Sequence, residues 1–215
     1  MKTLFNTRIK ENLANIVTIL GLLVAIWFLV IVINNPEQLW SIFLLAGLVA
    51  LTDFIDGRIA RKFNISTYFG SILDRIRDRV FIYPALIILT WHYHWKLTNL
   101  PFITNTFTKA LIIVVLGMEL LASIAGCIGI IWYISGTKID LNPSKWGKKK
   151  MFCGFTVVLI WFLSLTIEKY LGFPLIKFSI FVIDLGLVLM IYWAYRSLEE
   201  YSKRRKGEPE TEKQN

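Results

Sequence analysis

The sequence predicts an all-α integral membrane protein of six transmembrane helices, and three observations carry that prediction. Hydrophobic residues make up 55% of the 215 residues and charged residues only 18%, too little polar material to cover the surface of a water-soluble protein of this length. Apolar runs of membrane-spanning length follow one another from Asn15 almost to Tyr195. The alternating apolar and polar strands that a membrane barrel needs are absent, whereas a helix satisfies its own backbone inside lipid. Disorder, a coiled coil and a disulfide scaffold are excluded on the same grounds. Cys127 and Cys153, both in apolar surroundings, are expected to be packed structural thiols.

Taken in order, the first dozen residues place Phe5, Ile9 and Leu13 every fourth position among Arg8, Lys10 and Glu11. That spacing suits an amphipathic interfacial helix on the inner surface, or equally the start of the first span. The first span runs from Asn15 to Ile33, too long for a signal-peptide core and without a small-residue cleavage pattern after it. The second is Leu39 to Ile55. The third, Tyr68 to Trp91, carries charge in its first half and is uniformly apolar only from Val80 to Thr90. Ala110 to Ser135, Met151 to Ile167 and Leu175 to Tyr195 complete the six. Trp91, Tyr93, Trp95, Trp132, Tyr133 and Trp146 near span ends read as aromatic belts, with His92 and His94 at the interface beside them. A single membrane domain over 1–202 and a charged, disordered tail over 203–215 follow, since the tail holds no apolar residue.

The formal net charge of +9 acquires meaning only when the charges are placed. Lys2, Arg8 and Lys10 lie at the N-terminus; Arg58, Arg61, Lys62, Arg75, Arg77 and Arg79 join the second and third spans. Lys138, Lys145, Lys148, Lys149 and Lys150 join the fourth and fifth, and Arg196, Lys203, Arg204, Arg205, Lys206 and Lys213 follow the sixth. Those groups hold all but four of the 24 basic residues, the others being Lys96, Lys109, Lys169 and Lys177. By the positive-inside rule both termini face the cytoplasm, and an odd number of spans would scramble the alternation. The basic surplus thus faces anionic headgroups or phosphorylated ligands. Nucleic acid is disfavoured, because no recognition module accompanies the charge.

Asp53, Asp56, Asp74 and Asp78 stand at the inner ends of the second and third spans, where ionised groups are costly unless paired or bound to ions. Asp53 and Asp56 share one helical face, which Gly57 and Ala60 extend with almost no side chain. On the next helix Gly70, Asp74 and Asp78 recur every fourth residue. Two such stripes could approach closely with four carboxylates between them. A hard divalent cation, Mg2+ or Mn2+, is the natural counter-charge for an oxygen-rich set lacking a His/Cys group for zinc. The alternative is that each Asp pairs with a neighbouring arginine, Arg58, Arg61, Arg75, Arg77 or Arg79, which leaves the glycines without a purpose.

The pattern Asp53-x-x-Asp56-Gly57-x-x-Ala60-Arg61, then eight residues, then Gly70-x-x-x-Asp74-x-x-x-Asp78 resembles the signature of the CDP-alcohol phosphotransferases, with every fixed position present. Asn15 and Thr18 resemble the family's N-terminal Asn-x-x-Thr. Ser144-Lys145-Trp146-Gly147-Lys148-Lys149-Lys150 resembles the Ser-x-x-Gly-Lys-x-Lys segment of its phosphatidylglycerophosphate synthases. The resemblance covers nearly the whole chain except the tail, and such proteins are often homodimers.

What the resemblance implies is transfer of a phosphatidyl group from CDP-diacylglycerol to an alcohol hydroxyl, with release of CMP, at a site facing the cytoplasm, of the cell membrane if the source is bacterial. It makes Asp53, Asp56 and Asp74 the first ligands of two metal ions, with Asp78 beside the second and acting as general base. Gly57, Ala60 and Gly70 become clearance for the nucleotide, and Arg61 a fork for the pyrophosphate. Lys148 and Lys150 become ligands for the phosphate of a phosphorylated acceptor, with a headgroup-facing surface as the alternative. Glycerol 3-phosphate is the first acceptor implied, ahead of inositol phosphate, serine, another phospholipid or another polyol. Two departures bear on that choice: Met118 precedes Glu119 where an Arg is usual, and Gly21 stands three residues after Thr18 where an Arg is frequent. Glu119 and Asp184 are intramembrane acids suited to a polar cavity or to an interhelical hydrogen bond. A cation-coupled transporter fits less well, because the acids sit at one membrane face and no inverted repeat is visible. A non-catalytic scaffold would have no use for the motif glycines.

Overall fold

Six helices and no strand occur among the described residues of the computed structural model, which are 2–63, 68–93, 101–134 and 144–205. The side chains of 2–15, 56, 57, 59–63, 68–72, 74, 129–134, 204 and 205 lie outside that description. Helix α1 is Lys2–Asn34, α2 Leu39–Phe63, α3 Tyr68–His92, α4 Phe102–Ile134, α5 Lys145–Leu171 and α6 Leu175–Arg205. Four stretches are long and apolar enough to cross a membrane: Ile16–Asn34, Phe102–Ile128, Lys145–Leu171 and Leu175–Lys203. By helix length and composition the chain is a multi-pass membrane protein.

Helix α2 has a shorter apolar stretch, Leu39–Ile55, and the first half of α3 carries Asp74, Arg75, Arg77, Asp78 and Arg79. Helix α1 is unbroken over 33 residues, about 50 Å at the α-helical rise, against roughly 30 Å of hydrocarbon. Its expected amphipathic start is thus continuous with the span. Helix α6 runs on to Arg205, so Lys203, Arg204 and Arg205 are helical and not part of an irregular tail. Glu199 holds Lys203 one turn on at 2.8 Å, which supports that extension. The rest of the expected tail lies outside the described residues.

The chain forms two compact units, Met1–Leu100 with Val158–Ile180, and Pro101–Val157 with Phe181–Asn215. In the first, α1 packs on α2 and α3. Its buried positions are Thr18, Gly21, Ala25, Phe28 and Val32, alternating steps of three and four that define one helical face. Ile16, Leu20, Leu23, Trp27 and Val30 stand exposed on the opposite face, as a lipid-facing surface requires. Phe28 meets the ring of Phe81 at 4.8 Å and the edge of Phe162 at 5.6 Å.

At one end of this unit the Tyr93 hydroxyl donates to the Pro36 carbonyl at 2.6 Å, and the Lys169 ammonium donates to the Glu37 carbonyl at 2.6 Å. Burial, and secondarily the Glu37 carboxylate, push the Tyr93 phenol above its ordinary pKa, so it stays a donor. The α1–α2 connection and the ends of α3 and α5 therefore meet, the arrangement that antiparallel alternation of α1, α2 and α3 demands.

In the second unit polar side chains pair across helices. The Thr108 hydroxyl donates to Asp184 at 2.7 Å, the buried Lys150 ammonium pairs with Glu119, and the Cys153 thiol donates to the Gly186 carbonyl at 3.3 Å. The two intramembrane acids thus make interhelical bonds. Cys153 is packed as expected, whereas Cys127 is exposed, since its part of α4 faces outward with Leu121, Ile124 and Ile128.

Candidate active site

The inward seam of α2 passes through Leu39, Ile42, Ala46 and Val49, and one more turn of that spacing arrives at Asp53. On α3 the buried Leu89, Ala85 and Phe81 lead back through Asp78 in the same way. Helix packing that buries aliphatic and aromatic side chains along most of each seam therefore turns carboxylates toward each other at its last turns. One partner of both is Arg77. Its guanidinium binds Asp53 across the helix pair, and the same Nη2 donates to Asp78 Oδ1 at 3.2 Å. The Arg77 side chain is wholly buried, while that of Asp53 is 39% exposed and that of Asp78 11%.

Gly21 on α1 makes room for this arrangement. A Cβ there would stand 2.9 Å from Thr52 Oγ1, 3.1 Å from Arg77 Cδ and 3.3 Å from Arg77 Nη1. The Thr52 hydroxyl is held by the Val49 carbonyl at 2.8 Å, so it cannot easily yield. Of the other arginines offered as partners by sequence, Arg58 stacks on the Phe54 ring at 4.3 Å, one turn back on α2.

Two carboxylates from different helices turned toward one cationic group form a donor set suited to a hard cation. Among the described residues no group of three or more His, Cys, Asp or Glu gathers as a metal site. Asp56, Gly57, Ala60 and Arg61 lie on α2, and Gly70 and Asp74 on α3, in unbroken helix; their side chains fall outside the described residues. Lys148 is exposed at the start of α5, and Lys150 is buried against Glu119.

The Ser144 to Lys150 segment has a local role. Ser144 precedes α5, and its hydroxyl accepts the Gly147 N–H at 2.9 Å, an N-cap that satisfies one orphaned donor of the first turn. The same oxygen hydrogen-bonds to Ser197 at 2.7 Å, fixing the start of α5 against α6. Trp146 receives Lys149 at 4.8 Å and Arg196 at 5.1 Å over its ring. Sequence reasoning named Arg77 only as one of five arginines, read Gly21 only as a departure, and did not foresee the cap.

The model of the CDP-alcohol phosphatidyltransferase family matches residues 11–192, which take in both acidic helices and most of the remainder. The chain belongs to the CDP-alcohol phosphatidyltransferase family. A stretch of 92 residues is 40% identical to the CDP-diacylglycerol--glycerol-3-phosphate 3-phosphatidyltransferase of Escherichia coli (strain K12), covering 40% of this chain and 50% of that protein. The same figures hold for proteins of that name in Shigella flexneri serotype 5b (strain 8401) and Shigella boydii serotype 4 (strain Sb227). This CDP-alcohol phosphatidyltransferase family member thus spans about half the length of the curated relatives it matches.

Proposed function

We propose that the protein transfers a phosphatidyl group from CDP-diacylglycerol to the hydroxyl of sn-glycerol 3-phosphate and releases CMP. The observation that carries this reading is the family match across both acidic helices. The names of its relatives support the acceptor. Asp53, Asp56, Asp74 and Asp78 would hold two divalent ions, Mg2+ or Mn2+. Such ions, when bound, neutralise the oxygens of the pyrophosphate.

The chain's own residues do the rest. Asp78 takes the proton of the acceptor hydroxyl as that oxygen bonds to the phosphatidyl phosphorus and the bond to the CMP oxygen breaks. Arg61 binds the pyrophosphate through a planar fork, and Gly57, Ala60 and Gly70 let the nucleotide approach the helix backbones. Lys148, exposed at the head of α5, and Lys150, whose ammonium is fixed by Glu119, receive the acceptor's phosphate. Six membrane crossings with both termini and the acidic site on the cytoplasmic face are part of the same reading, supported by the distribution of Lys and Arg.

Purified protein incubated with CDP-diacylglycerol, Mg2+ and separate acceptors tests it. Glycerol 3-phosphate is expected to give CMP and a phosphorylated lipid, and EDTA to stop the reaction. A lipid product only with inositol phosphate, serine, a phospholipid or another polyol would change the acceptor. Full turnover in EDTA would remove the metal ions.

A further inference from the structure

The acidic site contains a cation of its own. Arg77 is wholly buried on α3, one residue before Asp78, and its guanidinium bonds to Asp53 of the facing helix as well as to Asp78. An Nη atom carries two N–H groups, so Nη2 can serve the two carboxylates at once. A buried guanidinium is costly without opposite charge, and ionised carboxylates beside one another are equally so. Each side of the cluster therefore stabilises the other. The position is also built from outside: Gly21 supplies the space, and any side chain there would press on Arg77 and Thr52. The Arg77 guanidinium thus lies against the side-chain-free face of α1 at Gly21.

We propose that Arg77 is a built-in counter-ion of the acidic site, holding Asp53 and Asp78 together before a divalent cation binds and contending with that cation for the same carboxylates. This rests on the divalent-ion reading of Asp53 and Asp78. The partly exposed Asp53 offers the entering ion its first ligand, and loading draws that carboxylate away from Arg77. Arg77 is thus a positioning residue that sets how tightly metal is held.

The test uses the full chain in detergent, freed of metal and titrated with Mn2+ alone, with bound ion followed by loss of the free Mn2+ EPR signal. Removing the positive charge in Arg77→Met is expected to tighten Mn2+ binding about tenfold or more and to lower the melting temperature of the metal-free protein. The melting temperature should then rise further on Mn2+ addition than in the parent. A second variant, Gly21→Ala, crowds the guanidinium without removing charge and is expected to shift Mn2+ affinity in the same direction, so the outcome does not depend on Arg77→Met folding. A merely structural arginine would lower stability without tightening metal binding. Unchanged or weaker Mn2+ binding in whichever variant stays helical overturns the proposal. If the parent protein binds no Mn2+, the divalent-ion reading itself fails, a result distinguishable from an unshifted affinity.

Discussion

Asp78 meets two demands at one residue: it accepts a hydrogen bond from Arg77 at 3.2 Å, and in the proposed reaction it accepts a proton from the acceptor. Asp78→Asn separates them, because the amide keeps an oxygen for Arg77 and loses basicity. CMP release from CDP-diacylglycerol is expected to fall by about a hundredfold or more, with helical circular dichroism unchanged; full turnover would remove Asp78 as the base. The acids were legible in the sequence because an ionised group in an apolar segment demands an explanation wherever the helix sits. The role of Arg77 was not. Arg58, Arg61, Arg75, Arg77 and Arg79 all lie near in sequence, and rotation of α3 against α1 and α2 brings Arg77 to both Asp53 and Asp78. Lys150 is a second such case, since its buried partner Glu119 lies on another helix.

At the scale of helices, small residues decide close approach. Gly186 on α6 lies against the Val157 side chain on α5, so close that an added Cβ would overlap it, with Cys153 Sγ at 3.8 Å from the same point. Valine is stiff at χ1 and cannot swing clear. Gly186→Ala is therefore expected to lower stability by about 1–3 kcal/mol, read from thermal unfolding in detergent, and Val157→Ala in the same chain to restore much of it. Equal stability of Gly186→Ala and the parent would show that α5 and α6 do not meet there. The helices themselves were readable from apolar run length, but several extend past it: α1 begins at Lys2 and α4 at Phe102, and α2 and α6 run on to Phe63 and Arg205. The third span was the hardest to read, because charge in its first half weakens the hydropathy signal that its helical periodicity still carries. The Ser144 cap could have been inferred from a serine placed just before a helix start.

For the whole molecule the testable consequence is sidedness. With Cys127 and Cys153 replaced, a single cysteine at Glu37 is expected to react with an impermeant maleimide added to intact cells, and one at Ser202 only after the membrane is opened. Labelling of position 202 from outside would reverse the orientation. Both positions are exposed, so access depends on the membrane and not on packing. The sequence by itself determined the membrane class, the succession of helices and the acidic motif, because hydropathy, 3.6-residue periodicity and motif spacing are properties of a single continuous segment. Only the tertiary structure decided that Arg77 joins Asp53 to Asp78, that Glu119 holds Lys150, that Cys127 faces outward and that the helices divide into two compact units. Each of those depends on how one helix is turned against another, and that rotation is set by side-chain shape at contacts such as Gly21 and Gly186, which no single segment contains.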